Sequence, residues 1–297
     1  MQSHKKYFGV YPFLEITTKI GCKNNCSYCP QSIIIKAYKG KEKELSFENF
    51  VRAISTVPAD VGICFSGFCE PFLNKECSKM IVYADQKGHK IDLFTTLVGV
   101  SEEDLEKIHG IKFSQFKIHL PSAKGLENIP VDEKYISLLK KTIEYKINRL
   151  CFVYHDEMRH ELEPLVKGQV VYKMNTISRA GNLGKVKESP HKNLFCTQNR
   201  NHLHQNILLP NGDVYFCFMD YRLRHKIGNL FEQDYGSLFR SEEFLRVKND
   251  LDSGGKNIIC NFCERAIDKN SAEYLFFQLK YCGAYCKAMA KSLLRPE

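Results

Sequence analysis

Three cysteines stand in one short loop. Cys22, Cys26 and Cys29 are spaced x3 and then x2, with Gly21 before them and Pro30 after. Their thiolates can converge on one centre. On a tetrahedral zinc they would need a fourth ligand. On a four-iron cluster they would leave one iron open to bind a small molecule. A structural knuckle and chance clustering are the plainer alternatives. The loop follows residues 13–18, a short β-branched run that reads as the first strand of a βα fold. Such folds collect their chemistry at the C-terminal ends of strands, so the placement favours a reactive cluster.

A second set lies in the C-terminal third. Cys196, Gly212, Cys217, Cys260 and Cys263 follow the spacing C-x15-G-x4-C, a gap, and then C-x2-C. Pro210, Asn211, Gly212 and Asp213 sit between apolar runs at 205–209 and 214–218. Asn-Gly in that context signals a hairpin, with Gly212 in the turn and Cys217 on the returning strand. Cys260 and Cys263 form a knuckle. Four thiolates close either a structural zinc site or a fully ligated four-iron cluster, and spacing does not choose between them. Cys282 and Cys286 would share one face of a terminal helix; they read as small apolar residues, or as part of a damaged second site. Cys64, Cys77 and Cys151 read as core or surface thiols.

These loops need a scaffold. Strand-like runs occur at 61–65, 90–95, 116–120, 150–154 and 169–174, and helical patterns at 46–56, 77–87, 101–108 and 133–145. Ser46 and Ser101 stand where helix caps are expected. Strand and helix alternating six times predicts an α/β parallel sheet with helices outside. Six units do not close an eight-stranded barrel, so the expected form is a partial (β/α)6 barrel over residues 1–185. A polar linker at 185–192 then leads to a small α+β domain over 186–297, with a helix at 241–251 and a terminal helix at 271–294. Lys117 and His119 share one face of the fourth strand; they line the barrel mouth or, more simply, His119 is a packed histidine. Arg179 follows the last barrel strand. Buried, it would clamp a carboxylate by a bidentate contact; otherwise it is a surface arginine on a glycine-rich exit loop.

Composition narrows the classes. Thirteen cysteines in 297 residues is about 4% of the chain, below a disulfide scaffold's content. Residues 1–6 are polar with no apolar run behind them, and no stretch of ~18 apolar residues exists. The expected setting is cytoplasmic and reducing, with the clustered cysteines binding metal. The formal net charge is +9, but no dense basic block or aromatic-rich RNA motif accompanies it, which speaks against a nucleic-acid partner. Three thiolates on one 2+ cluster and four on another would bring that charge down to about +6.

The first cysteine loop resembles the radical S-adenosylmethionine (SAM) superfamily, whose motif is C-x3-C-x-aromatic-C, with Tyr28 in the aromatic place. The resemblance extends over residues 10–180. It implies a [4Fe-4S] cluster on Cys22, Cys26 and Cys29 with SAM chelated to the open iron. Residues 65–71 resemble the family's Gly-Glu motif, which implies that Gly67 and Glu70 hold the methionine amino group; Cys69 stands where the commoner form has glycine. Thr95 and Thr96 end the third strand, where similar enzymes place SAM or substrate contacts, and Ser122 falls where a ribose contact is expected. In related enzymes an arginine in the region of Arg179 lies near SAM or substrate. The implied chemistry is one-electron cleavage of SAM and hydrogen-atom abstraction by the resulting 5′-deoxyadenosyl radical.

The second set resembles the auxiliary-cluster extension called SPASM, or its shorter twitch form. Lys269 stands where a full SPASM motif has its next cysteine, so Cys196, Cys217, Cys260 and Cys263 match a single auxiliary [4Fe-4S] cluster. The twitch form resembles that of a dehydrogenase acting on an aminocyclitol, which implies a small polyol, sugar or cyclitol substrate. It also implies a reducing partner such as a flavodoxin or ferredoxin. With the first strand near residue 13, no leader-binding domain is expected ahead of it. A peptide-modifying enzyme, a radical epimerase or isomerase, and a non-catalytic electron carrier are the alternatives.

Overall fold

A computed structural model describes residues 12–184, 192–198 and 205–279. β1 (Phe13–Ile16) leads through α1 (Gln31–Ala37) and α2 (Phe47–Ile54) to β2 (Gly62–Phe65). α3 (Cys77–Gln86), β3 (Ile91–Thr95), α4 (Glu102–Ile108), β4 (Gln115–His119), α5 (Glu133–Glu144), β5 (Leu150–His155) and β6 (Val171–Met174) follow. The six strands pair in chain order, each parallel to the next. β2 is buried throughout its length, as a strand covered on both faces must be.

The helices form where the sequence offers both a cap and an apolar stripe. The Ser46 side chain accepts the Asn49 N–H and starts α2, which buries Phe50, Ala53 and Ile54. Ser101 and Asp104 form a reciprocal capping box on α4. Asp132 caps α5 through the Tyr135 N–H at 2.8 Å. Fully enclosed Phe50, Phe65 and Phe116 tie these helices to the sheet, each contributing about 1.5–3 kcal/mol by leaving water. The alternation is less regular than the sequence suggests. Two helices separate β1 from β2, whereas β5 and β6 are joined by turns.

The C-terminal elements are β7 (Leu194–Cys196), β8 (Gln205–Leu208), β9 (Asp213–Tyr215), β10 (Lys226–Asn229), α6 (Glu242–Ser253) and β11 (Ala266–Asp268). β8, β9 and β10 do not stand apart from the barrel sheet. β8 lies parallel beside β1, and the antiparallel β8–β9–β10 meander continues the sheet to nine strands in the order β10-β9-β8-β1-β2-β3-β4-β5-β6. The result is an open, largely parallel partial barrel with a small C-terminal domain on one edge. Gly212 makes the β8–β9 turn at φ 84°, and a Cβ there would lie 2.5 Å from Asn229 Oδ1. β7 and β11 form a separate ribbon that aligns Cys196 with Ala266.

Residues 272–279 are helical. The expected linker at 185–191, the rest of the terminal helix, and Cys282 and Cys286 lie outside the described residues. Among the described residues no helix is long and apolar enough to cross a membrane.

Candidate functional site

The first cysteine loop leaves the C-terminal end of β1 and turns through left-handed Gly21 and Asn25. The Cys29 N–H donates to the Cys26 carbonyl at 2.9 Å, which curls the three side chains inward. Gln31, unremarked in the sequence, grips both ends of the loop. Its Oε1 accepts the Cys22 N–H at 3.3 Å, and its Nε2 lies 3.3 Å from Cys29 Sγ and 2.6 Å from the Phe68 carbonyl. The loop is also tied to the segment after β4 by Ser27 N–H to Leu126 O and Asn128 N–H to Asn24 O, both 2.7 Å.

The thiols suit a cluster. Burial pushes Cys26 up to about 12 and Cys29 upward as well, and each is raised further by the charge of its neighbours. A bound cation relieves that mutual repulsion. Cys22 goes the other way, down to about 6, chiefly because the Cys69 thiol donates to it. The cysteine that stands in place of the motif glycine therefore touches Cys22.

The segment after β2 is locked to the ends of β1 and β3. The Gly67 N–H donates to Glu15 Oε1 at 2.8 Å. A Cβ on Gly67, at φ 69°, would lie 2.4 Å from Thr17 Oγ1, so only glycine permits this approach. Glu70 is buried. Its Oε1 accepts the Thr95 hydroxyl at 2.7 Å, and its Oε2 accepts both the N–H and the hydroxyl of Thr96 at 2.6 Å. Asn24 donates to Thr96 Oγ1 at 2.8 Å. Glu70, Thr95 and Thr96 are thus each other's partners, and Asn24 connects them to the cysteine loop.

Glu15 is the acidic member of the first strand, and its place in a β-branched run is the signal by which it could have been found. Burial pushes Glu15 and Glu70 up to about 7. A carboxyl so raised binds its proton more tightly folded than unfolded. Its stabilising contribution is full below about 4.5 and is lost as pH rises through about 7. Glu15→Gln keeps an acceptor for Gly67 and removes one of the two titrations. The thermal midpoint should therefore fall less steeply between pH 4.5 and 7 in the variant than in the parent, as calorimetry would read it; parallel curves would show that Glu15 does not titrate there.

Around the mouth, the Tyr28 ring packs on His155 at 4.1 Å between centroids, and His119 lies 6.3 Å from His155. His119 makes no hydrogen bond to the described residues; burial, Lys117, His155 and Arg179 hold it down to about 3, neutral at ordinary pH. Lys117 itself turns onto the Phe94 ring at 4.4 Å. Arg179 sits at φ 53° and donates from Nε to the Tyr28 carbonyl at 3.4 Å. Its charge is felt by Glu15, Cys29, His119, His155 and Tyr221, which places it over the mouth and not on the outer surface. Ser122 is enclosed. Its hydroxyl donates to Glu127 at 2.9 Å and accepts the Leu126 N–H at 3.0 Å, so it is engaged within its own loop.

The second cysteines meet by three routes. The β7–β11 ribbon carries Cys196, the 3-10 turn Ile259–Phe262 folds Cys260 and Cys263 together, with Cys263 N–H on Cys260 O at 3.2 Å, and Cys217, expected on the returning strand, lies two residues past its end because β9 stops at Tyr215. Cys217 feels the charge of the other three, and burial drives Cys217 and Cys260 well above the usual thiol range. Among the described residues no three His, Cys, Asp or Glu side chains close on a single ion-sized point. Four thiols that sense one another form a set able to ligate a metal centre.

A cavity of about 910 Å³ has in its lining Ser27 and Tyr28 of the first cysteine loop, Glu264, the residue after Cys263, and Lys124, Asp156 and Lys173. Glu264 also accepts the Ser178 N–H, so the knuckle is joined to the loop that carries Arg179.

The radical SAM superfamily profile matches residues 16–166, and an iron-sulfur cluster-binding domain, SPASM, matches residues 196–264. The chain belongs to the radical SAM superfamily and is a radical SAM enzyme, with a [4Fe-4S] cluster, SAM, and auxiliary iron–sulfur ligation. It is similar to the S-adenosyl-L-methionine-dependent 2-deoxy-scyllo-inosamine dehydrogenase of Niallia circulans, at 20% identity over 89% of this chain and 97% of the relative. Among solved structures, BtrN in complex with AdoMet and 2-DOIA superposes with a TM-score of 0.57 at 17% identity, over 89% of this chain and 94% of BtrN. Streptococcus suis SuiB bound to precursor peptide SuiA gives 0.60 at 13% identity, over 86% and 70%. Native anSMEcpe with bound AdoMet gives 0.58 at 13%, over 94% and 99%.

Proposed function

We propose that this enzyme oxidises a hydroxyl group of a small polyol, sugar or aminocyclitol to a carbonyl, with the auxiliary cluster as electron acceptor. The observation that carries this reading is the cavity whose lining includes Ser27 and Tyr28 of the first cysteine loop and Glu264 beside Cys263. Its volume falls in the range of small-molecule sites, and its walls offer Ser27, Lys124, Asp156, Lys173 and Glu264 as hydrogen-bonding groups. The aminocyclitol dehydrogenase relative, matched over nearly its whole length, supports the same class.

Cys22, Cys26 and Cys29 hold the catalytic cluster, and Cys196, Cys217, Cys260 and Cys263 the auxiliary one. When bound, cluster and SAM supply one-electron cleavage of SAM and hence hydrogen-atom abstraction. The chain's residues then orient and enclose. The Gly67 carbonyl receives the methionine ammonium group. Glu70 keeps Thr95 and Thr96 in register with Asn24 of the cysteine loop. Tyr28 walls the site, and Arg179 directs a cation into it, where low dielectric strengthens its hold on anionic or hydroxyl groups. The electron for SAM cleavage comes from a reduced carrier such as a flavodoxin or ferredoxin.

The test uses reconstituted enzyme, dithionite and SAM with three deuterated pools: polyols and aminocyclitols, peptide extract, and total RNA. Deuterium passing from the polyol pool into 5′-deoxyadenosine, with SAM consumed in step with carbonyl product, is the expected result. Transfer from the peptide pool alone would overturn the substrate class, and regeneration of SAM would overturn oxidation in favour of isomerisation.

A further inference from the structure

The sulfur of Cys29 faces side-chain donors from both parts of the chain. Gln31, at the start of α1, is the nearer. Its carboxamide has one possible orientation: Oε1 accepts the Cys22 N–H, and Nε2 donates to the Phe68 carbonyl at 2.6 Å. A carbonyl only accepts, so the nitrogen is fixed there, and its second hydrogen is left for Cys29 Sγ at 3.3 Å. Tyr221 is the other donor. It follows Cys217 by four residues, in a turn where its own N–H donates to the Met219 carbonyl at 3.0 Å. Its ring packs on Phe68 at 4.6 Å between centroids, and its hydroxyl reaches Cys29 Sγ at 3.9 Å. That hydroxyl makes no other hydrogen bond among the described residues. Gln31 and Tyr221 are both buried. Ile34, Phe68, Ile207 and Tyr215 pack with Tyr221 in a small apolar core of their own, and Cys29 lies against it. Such surroundings disfavour added negative charge on the sulfur and strengthen any hydrogen bond made to it.

Resting on the ligation proposed above, we propose that Tyr221 is a positioning residue of the catalytic cluster: its hydroxyl donates to the Cys29 sulfur and makes that cluster easier to reduce. A cysteine that ligates a metal has lost its hydrogen, so in the loaded protein the hydrogen between this pair belongs to the phenol. Reduction brings in one electron from the reduced carrier and no proton, and the sulfurs share the added charge. A donor at sulfur holds the more negative state more firmly than the oxidised one, which raises the potential. Gln31 fixes the direction of the sulfur, and its N–H acts in the same sense. Arg179, whose charge both Cys29 and Tyr221 feel, adds to the effect from the mouth. The barrel therefore does not complete the surroundings of its own cluster. One donor comes from the region that carries the auxiliary cysteines, four residues from Cys217. SAM cleavage needs the reduced cluster, so this contact sets how much of the enzyme is competent at a given carrier potential.

The experiment compares the cluster-loaded parent with Tyr221→Phe and Tyr235→Phe in a redox titration followed by electron paramagnetic resonance. The signal that changes when SAM is added belongs to the cluster with the open iron. Tyr221→Phe deletes one oxygen and keeps the ring on Phe68. At the parent's midpoint its reduced-to-oxidised ratio should fall about tenfold, a midpoint about 59 mV more negative for one electron. Tyr235 is also buried, and its hydroxyl has no hydrogen-bond partner, so Tyr235→Phe should leave the midpoint where it is. In D2O, electron–nuclear double resonance of the reduced parent should show an exchangeable coupling that is missing from Tyr221→Phe. All three proteins should carry about eight irons. An unchanged midpoint in Tyr221→Phe, an equal shift in Tyr235→Phe, or identical exchangeable couplings in parent and Tyr221→Phe would overturn the proposal. So would loss of about four irons from Tyr221→Phe, since the hydroxyl would then hold the cluster and not tune it. Survival of the SAM-sensitive signal in Cys29→Ala would instead overturn the ligation on which the proposal rests.

Discussion

Cys29→Ala is expected to abolish SAM cleavage, with 5′-deoxyadenosine falling well beyond 100-fold, while the auxiliary cluster remains. Partners one shell out from a metal already cost about 10–100-fold when removed, so loss of a ligand thiolate costs more. Iron should fall from about eight to about four per chain as one four-iron cluster is lost. Cys29 is the informative choice because it is held from two sides: Gln31 Nε2 at 3.3 Å and the Tyr221 hydroxyl at 3.9 Å both face its sulfur. Tyr221 belongs to the C-terminal region, so the catalytic thiol is gripped by both parts of the chain. Cys77→Ala is the control. Cys77 is fully enclosed at the start of α3 and far from a ligand role, so its loss should change stability slightly and leave about eight irons by the same cluster count. Retention of eight irons and of SAM cleavage in Cys29→Ala would remove Cys29 from the ligand set and reopen the first cysteine group.

Much of this centre was legible because it is local. Cys22, Cys26 and Cys29 lie in one loop, and Cys260 and Cys263 in one turn, so spacing alone reports their convergence. Gly212 was legible because Asn-Gly between apolar runs has few conformations open to it. What the sequence did not reveal depends on pairing across the chain. β8 lies parallel against β1 through Phe13 and Gln205, nearly two hundred positions apart, and no periodicity encodes that neighbour. β7 and β11 are three residues each, too short for a strand pattern, and take their register from one another. Gln31 belongs to no motif; its role comes from facing Cys22, Cys29 and Phe68 at once. His155 ends a strand whose face is defined only once β6 is beside it. Glu70, Thr95 and Thr96 were legible as a set, but as expected ligands of SAM; their mutual hydrogen bonds make them first a clamp between β2 and β3.

Cys260→Ala should separate the two halves of the reaction. About four irons should remain per chain, those of the cluster in the first loop. SAM cleavage and deuterium transfer from substrate should continue within a few-fold, because Cys22, Cys26, Cys29 and their supports are untouched. Carbonyl product should fall steeply against 5′-deoxyadenosine, the substrate radical having lost its electron acceptor. One complication is structural. Glu264, beside Cys263, accepts the Ser178 N–H, so a knuckle that shifts the Arg179 loop with it would mimic a lost acceptor. Cys217→Ala resolves this. Cys217 lies two residues past β9, its sulfur accepts the Met219 N–H at 3.5 Å, and among the described residues no hydrogen bond joins it to Glu264. Both variants should show the same uncoupling and the same iron content. A difference between them would trace the effect to the Ser178–Glu264 link. Full carbonyl yield with only four irons would mean that the electron leaves by another route, and one zinc beside four irons in the parent would make the second site structural. Cys217 and Cys260 are held far above the ordinary thiol range by burial and by neighbouring cysteines, so four thiolates persist at that site only when a bound metal centre compensates them.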